Sequence, residues 1–420
     1  MGYGSALRCT HGTQMISDPL AQQLAKLDPA DPQYASQFIE LLLSSARGRS
    51  ASDAHLQPLG DRVEVRLRID GVLATLGAFP IGTQTNVITR LKVIADLLTY
   101  RTDLPQEGRV RTADDTLEMR VSTFPTIYGE KAVVRLFQSA ERFNYLADLG
   151  LPTDVLERLM QLLGETSGAI LVTGPAGSGK TTTLYACLRE LVRANAGARN
   201  IVTIEDPVEV VIEGVSQSQV NPVAGFDLAN GLRSIMRQDP QVIMIGEMRD
   251  RPTTEAALQS SLTGQLVLTS FHAGRAAGAI SRLTDMGIEP YAIRSGILAV
   301  LSQRLVRRLC QCARAAAGKE ELLNLPVDKA MVPVGCDRCA GSGYRGRAIL
   351  VELMPLDEPV LGKEILRKTE AAQIEQAAVS AGMTDLWRRA AQAVETGVTS
   401  PAEIARVMGA VSDSRPGTGL

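Results

Sequence analysis

The sequence predicts an α/β protein: a parallel sheet covered by helices on both faces, preceded by a smaller α+β domain. Three observations carry that expectation. Four unbroken apolar runs, AILVTG (169–174), NIVTIED (200–206), VIMIGE (242–247) and QLVLTSF (265–271), alternate with helical stretches, as central strands buried on both faces do. The first run leads straight into a glycine-rich segment and then into the helical TTTLYACLREL. Upstream, VEVRLRIDG (63–71) and TLEMRVSTFP (116–125) alternate apolar and polar residues, the pattern of half-buried strands.

The elements follow in order. Residues 1–34 hold turn residues (DPADP at 28–32) and no long apolar period, so an N-terminal arm is expected there. From Tyr34, YASQFIELLLSSA reads as a helix, NVITRLKVIADLL (86–98) as another and KAVVRLF (131–137) as a third strand, giving an α+β domain over 35–140. A polar linker at 141–150 precedes the α/β core, expected at 151–305. Four of the six cysteines fall within 306–350, and 351–420 reads as helical. Its last helix opens with Ser400-Pro401-Ala402-Glu403, a capping box with proline at the first helical position.

Composition narrows the function. With 420 residues, 45% of them hydrophobic, the chain can bury several cores, which excludes disorder as its main character. Lys+Arg number 44 against 46 Asp+Glu, a net charge of −2, so a globally basic nucleic-acid coat is excluded. Aromatic residues make up 4%, with one Trp, which argues against stacking platforms for single strands. The longest uncharged stretch, 256–274, is broken by Gln, Ser, Thr and His, so no membrane span is expected. The first residues lack a basic-then-apolar signal pattern, so the expectation is a soluble, intracellular chain.

The chemistry starts at the glycine-rich segment. Gly174, Pro175, Ala176, Gly177, Ser178, Gly179, Lys180 and Thr181 form a complete G-x-x-x-x-G-K-[ST], followed by Thr182, between an apolar strand and a helix. That context defines a P-loop, in which glycines let backbone N–H groups converge on phosphate oxygens at a helix N-terminus. A nucleoside triphosphate is expected here, with Lys180 on the β/γ-phosphates and the Thr181 hydroxyl on Mg²⁺. Hydrolysis then needs one acid near Mg²⁺ and one to orient water. Glu205, beside Asp206, and Glu247, near Asp250, end later strands and are the natural pair. A strand ending in Glu205, between the P-loop strand and the Glu247 strand in sequence, points to the RecA-like branch of P-loop ATPases. Arg233 and Arg237, four apart on one expected helical face, can bring two guanidinium groups to the transition-state charge.

The cysteines form a separate constellation. Cys310-Gln311-Cys312 and the knuckle Cys336–Cys339 lie within thirty residues, in a chain with no export signal, and read as zinc ligands more readily than as disulfides. Four thiolates leave no open coordination position, so a structural role is expected.

GPAGSGKTTTLYA, VTIEDPVE, LRSIMRQDPQVIMIGEMRD and TGQLVLTSFHAGRAAGAISRLTDMG resemble, in order, the Walker A, Asp box, Walker B and His box of the secretion ATPase superfamily. That family powers type II secretion and the assembly or retraction of type IV pili. ASDAHLQP (51–58), VRLRIDGVL (65–73), RLKVIADL (90–97) and LPQEGRV (104–110) resemble its PAS-like N-terminal module. QRLVRRLC (303–310) and GCDRCAGSGYRGR (335–347) resemble its tetracysteine insertion, and the likeness covers most of residues 35–410.

The resemblance implies an ATPase that binds ATP, Mg²⁺ and structural Zn²⁺. Glu205 would orient or activate water and Glu247 act at Mg²⁺, the two roles being exchangeable, while His272 senses the γ-phosphate. Arg233, Arg237 and Arg66 or Arg68 would reach the nucleotide, some from a neighbouring subunit. It implies a hexamer that rocks its N-terminal module about a hinge at 138–150, with inner-membrane platform proteins as partners and no nucleic acid. The chain would be cytoplasmic and peripheral at the inner membrane. The tetracysteine insertion favours assembly or secretion over retraction, and a nucleic-acid translocase using the basic stretch 304–314 is the rival class. A lead of about 34 residues is shorter than the platform-binding domain of many assembly members.

Overall fold

The computed structural model describes residues 18–84, 86–111, 118–136, 143–195 and 198–409; residues 1–17 of the expected arm, part of the expected hinge, and the last residues of the expected C-terminal region lie outside them. The described chain divides into two compact units: one takes in the residues up to 136 with Gly335–Gly343, the other those from 143 to Val334 and from Tyr344 to 409.

The first unit is α+β. It contains α1 (Pro19–Ala25), α2 (Tyr34–Gly48), β1 (Ala51–Pro58), β2 (Arg62–Ile69), β3 (Val72–Pro80), α3 (Val87–Ile94), β4 (Gln106–Arg111), β5 (Glu118–Thr126) and β6 (Gly129–Leu136). The strands form one antiparallel sheet in the order β3-β2-β1-β6-β5-β4. Ala54 and Leu56, Val63, Val65 and Leu67, and Ala132 and Val134 alternate onto its buried face. The buried stripe of α2 (Ala35, Phe38, Ile39, Leu42, Leu43, Ala46) has helical spacing and joins them in one core.

Residues 19–25, expected within an arm, instead form α1, whose Leu20 and Leu24 are buried in that core. Asp18 caps it by accepting from the Leu20 N–H at 2.8 Å, Pro19 opens it, and Arg49 Nη2 donates to Asp18 Oδ1 at 2.6 Å.

The second unit is the α/β layer structure. It contains α4 (Thr153–Leu163), β7 (Gly168–Thr173), α5 (Lys180–Asn195), β8 (Ile201–Glu205), β9 (Ser216–Gln219), α6 (Leu228–Ile235), β10 (Val242–Met248), α7 (Arg251–Leu262), β11 (Leu266–Phe271), α8 (Ala276–Asp285), α9 (Pro290–Gly296) and β12 (Ile297–Leu309). A two-stranded ribbon, β13 (Arg314–Ala315) with β14 (Met331–Val332), precedes β15 (Tyr344–Pro355), α10 (Pro359–Leu366), α11 (Ala371–Ser380), α12 (Leu386–Glu395) and α13 (Pro401–Met408).

The sheet order is β15-β12-β7-β11-β10-β8-β9. Six strands are mutually parallel, and β15 closes the edge antiparallel to β12. The expected parallel sheet is therefore present with one antiparallel edge strand added. β12 and β15 run through residues 305 and 350, the two positions where the sequence reading placed domain limits. Along β7, Ala169 and Leu171 face one core with Val202, Ile243 and Val267, while Ile170 and Val172 face the other with Met244 and Leu268. Burial on both faces explains the unbroken apolar runs, at ~1.5–3 kcal/mol for each fully buried aliphatic side chain. The helix α13 opens with half of the expected capping box: Ser400 accepts from the Glu403 N–H, while the Glu403 carboxylate turns instead to Arg307 and Arg406.

Candidate active site

Parallel pairing brings the C-terminal ends of β7, β8, β10, β11 and β12 to one edge of the sheet. Thr173 lies opposite Phe271 on one side and Ser302 on the other, and Ile245 lies between Ile204 and Thr269. The segments that leave these ends carry Gly174–Thr182, Glu205, Glu247 and His272.

The P-loop is shaped by glycine at three points. Gly174, Gly177 and Gly179 have φ of +150°, +74° and +88°, backbone that L side chains rarely adopt. A Cβ on Gly174 would stand 2.5 Å from the Gln303 carbonyl oxygen and 2.6 Å from Ser178 Oγ, so only glycine fits. The helix α5 begins at Lys180, and its first-turn N–H groups have no intrahelical acceptor. Ser178 Oγ is buried without a hydrogen-bond partner. Lys180 Nζ donates to the carbonyls of Gly174 at 3.0 Å and Pro175 at 3.2 Å. Burial holds its ammonium below the ordinary lysine range, Arg304 adds to that, and Glu247 opposes it. Thr181 is exposed beside the cradle and Thr182 half-buried. A glycine-shaped loop at a helix N-terminus, an orphaned hydroxyl and a half-buried cation fit an anionic phosphate chain with its Mg²⁺.

Glu247 sits on a bulge. Between Ile245 and Met248 the strand β10 carries one more residue than β11 opposite it, and the Ser270 hydroxyl fixes the kink by donating to the Gly246 carbonyl at 2.6 Å. Glu247 turns toward the P-loop, half-exposed, with Arg249 Nε on Oε2 at 2.7 Å and His272 Nδ1 at 4.0 Å from Oε1. His272 is exposed, and its turn is stapled to the base of the P-loop. Thr173 Oγ1 donates to the Ala273 carbonyl at 3.0 Å and accepts from the Ala273 N–H at 2.9 Å.

Glu205 differs from this. It is 3% exposed, and its carboxylate accepts from Thr203 Oγ1 at 2.6 Å, Gln217 Nε2 at 3.0 Å and the Tyr185 hydroxyl. Burial pushes the Tyr185 phenol well above its ordinary range, and the hydrogen bond to Glu205 adds to it. Glu205 is thus buried and held by three donors, while Glu247 is half-exposed beside Arg249 and His272. Asp250 caps α7 by accepting from the Thr253 N–H at 2.8 Å.

Arg233 lies exposed on α6 and donates to Asn230 Oδ1 at 2.6 Å. Arg237 does not share its helical face, since α6 ends at Ile235 and the chain turns toward Asp239, whose φ is +50° ahead of Pro240. In the first unit, Arg66 and Arg68 point to the same face of β2 and pair with Glu64 and Asp53.

Gln303 is a residue the sequence reading gave no role. Fully buried on β12, it donates from Nε2 to the Ser178 carbonyl at 2.6 Å and accepts from Thr183 Oγ1 at 2.9 Å, clamping the loop to the first turn of α5. An amide inside the run VLSQRLV, where an all-apolar strand would suffice, was the available signal. The buried Glu352 is another: it accepts the N–H groups of Ala276 and Leu386 at 2.8 and 3.0 Å, tying α8 to α12. The basic stretch 304–314 divides among separate sites. Arg307 pairs with Glu403 and stacks over Tyr344, and Arg314 pairs with Glu321.

The sulfurs of Cys310, Cys312, Cys336 and Cys339 lie within 4.8 Å of one another. Zinc–sulfur bonds of about 2.3 Å in a tetrahedron space sulfurs about 3.8 Å apart. Cys336 Sγ and Cys339 Sγ are 3.8 Å apart, and Cys339 Sγ accepts the N–H groups of Cys336 and Gly343 at 3.1 and 3.2 Å. The donor set fits a closed structural zinc site, and the short Cys310–Cys312 spacing does not prevent it.

The family model described as Type II/IV secretion system protein matches residues 28–406. The chain belongs to the type II/IV secretion system protein family. It is 38% identical over 385 residues to the Type IV pilus assembly ATPase PilB of Thermus thermophilus, covering 89% of this chain and 43% of that protein. It is 40% identical over 382 residues to the Type II secretion system protein E of Xanthomonas campestris, covering 88% of this chain and 66% of that protein. The chain thus spans less than two thirds of the length of these two family members. The crystal structure of the Legionella pneumophila ATPase DotB shares the fold, with a TM-score of 0.64 at 21% identity, covering 87% of this chain and 94% of that one. No helix among the described residues of this secretion-system family member is long and apolar enough to cross a membrane.

Proposed function

We propose that this chain hydrolyses ATP to drive assembly of a type IV pilus or of a type II secretion pseudopilus. The observation that carries the reading is the convergence of the glycine-built phosphate cradle, Lys180, Glu247 and His272 at one sheet edge. Lys180 takes up the β/γ-phosphate charge in exchange for the carbonyls it now holds. The Thr181 hydroxyl would hold Mg²⁺, which would supply charge neutralisation to the phosphates. Glu247 on its bulge orients water, His272 beside it reads the terminal phosphate, and Glu205 braces the floor through Thr203, Tyr185 and Gln217. Arg66, Arg68, Arg233 and Arg237 are the arginines proposed to reach the nucleotide, some from a neighbouring copy in a hexameric ring. The cytoplasmic location at the inner membrane and the platform partners belong to this proposal. The tetracysteine cluster supports assembly or secretion over retraction.

Steady-state Mg-ATPase activity across protein concentration tests the reading, with and without duplex and single-stranded DNA. Specific activity that rises with concentration and ignores DNA is expected. Strong stimulation by DNA would replace this reading with a nucleic-acid translocase.

Zinc has its own test. The double variant Cys336→Ser, Cys339→Ser should lose one bound zinc by elemental analysis and melt about 5 °C or more below the parent. A parent protein purified without zinc and unable to take it up would remove the metal from the proposal.

A further inference from the structure

Arg304, whose charge is felt by Lys180, stands beside the P-loop with its guanidinium on backbone carbonyls. On β12 the register continues from Ser302, opposite Thr173, so residues 303 and 304 run alongside Gly174 where β7 becomes the P-loop. Alternation sends the two side chains apart. Gln303 goes inward to hold Ser178 and Thr183, while Arg304 Nη1 donates to the Gln303 carbonyl at 3.2 Å and Nη2 to the Gly274 carbonyl at 2.6 Å. That Gln303 carbonyl is the atom Gly174 packs against, and the Gly174 carbonyl in turn accepts from Lys180 Nζ. The guanidinium and the ammonium therefore flank Gly174, one contact away on either side.

The charge around Arg304 is unusual. Among the described residues it forms no ion pair, and its hydrogen bonds go to backbone carbonyls. Glu352, the acid whose field reaches it, is committed to the N–H groups of Ala276 and Leu386. Burial lowers its affinity for the proton, Glu352 opposes that, and Arg275 adds to it; Arg304 in turn depresses Lys180. Two half-buried cations set against each other at one loop are relieved by a polyanion. A guanidinium suits phosphate because its planar fork donates two parallel hydrogen bonds. Gly274, its present acceptor, lies two residues beyond His272 in the turn stapled to Thr173.

We infer that Arg304 contacts the terminal phosphate of a triphosphate bound by its own chain, and so distinguishes the triphosphate from the diphosphate. The contact exchanges the Gly274 carbonyl for phosphate oxygens, which tells the His272 turn that the third phosphate is present. This inference rests on the P-loop being a nucleotide site.

Calorimetric titration of the full chain, with Mg²⁺, against ADP and against the non-hydrolysable ATP analogue AMP-PNP tests it. Arg304→Gln should weaken the analogue about tenfold or more and ADP less than about twofold. Arg304→Lys keeps the charge without the fork and should fall between. If the Gln variant melts below the assay temperature, the analogue-to-ADP ratio of the Lys variant decides. Equal loss of both ligands, or no change in their ratio, would overturn the inference and leave Arg304 as a brace for the Gly274 turn. Failure of the unaltered protein to bind ADP would instead overturn the nucleotide site, since that result does not involve Arg304.

Discussion

Lys180→Ala should abolish measurable nucleotide binding and lower turnover by at least about 10²–10³-fold, the scale set by losing one preorganised charge at a phosphoryl transition state. The structure gives reasons for a large chemical effect and a small structural one. Lys180 Nζ holds only the carbonyls of Gly174 and Pro175, which water can satisfy at the half-buried rim of the loop. Its backbone starts α5, where Ala is an equally good helix former. The loop itself is fixed by other contacts, chiefly Gln303 on Ser178 and Thr183. The melting temperature should therefore stay within about 3 °C of the parent while titration with ATP gives no heat. A variant that still turned over within threefold of the parent would show that this P-loop does not carry the hydrolysis.

What the sequence made visible was local. β7 and β11 are buried at every position, so their apolar runs needed no partner to be recognised. The P-loop, Glu247 and His272 lie in short strings whose spacing is itself the signal. The remainder depends on contacts between distant residues. β12 and β15 carry Arg304, Arg307, Arg345 and Arg347 within their span, which breaks the apolar pattern, and their pairing bridges the whole tetracysteine region. α1 is seven residues long, too short for a period to stand out, and its place in the core is set by Asp18 reaching Arg49 across 31 residues. Arg237 looked paired with Arg233 because i, i+4 spacing says nothing about where a helix stops. Gln303 acts through residues 120 and 125 positions away, and Thr173 through one 100 positions away.

Glu205 and Glu247 looked interchangeable as a pair of acids, and the structure separates the outcomes expected of them. Glu247→Gln keeps the size of the side chain and its place on the β10 bulge, where its neighbours are Arg249 and His272 at a half-exposed surface. The fold should be unaffected, ATP should still bind, and turnover should fall about 100-fold because a neutral amide orients water poorly. Glu205→Gln meets a different environment. Its two oxygens take hydrogen bonds from Thr203, Gln217 and Tyr185 in a buried floor, and an amide NH₂ would face at least one of those donors. Leaving such a buried donor unmatched costs about 1–3 kcal/mol, so this variant should melt about 3–10 °C lower as well as turning over slowly. Melting curves and trapped-nucleotide measurements on both variants distinguish the roles. If Glu205→Gln retained the parent's melting temperature and trapped ATP while Glu247→Gln remained active, the water-orienting role would move to Glu205, and the floor contacts would serve to aim it.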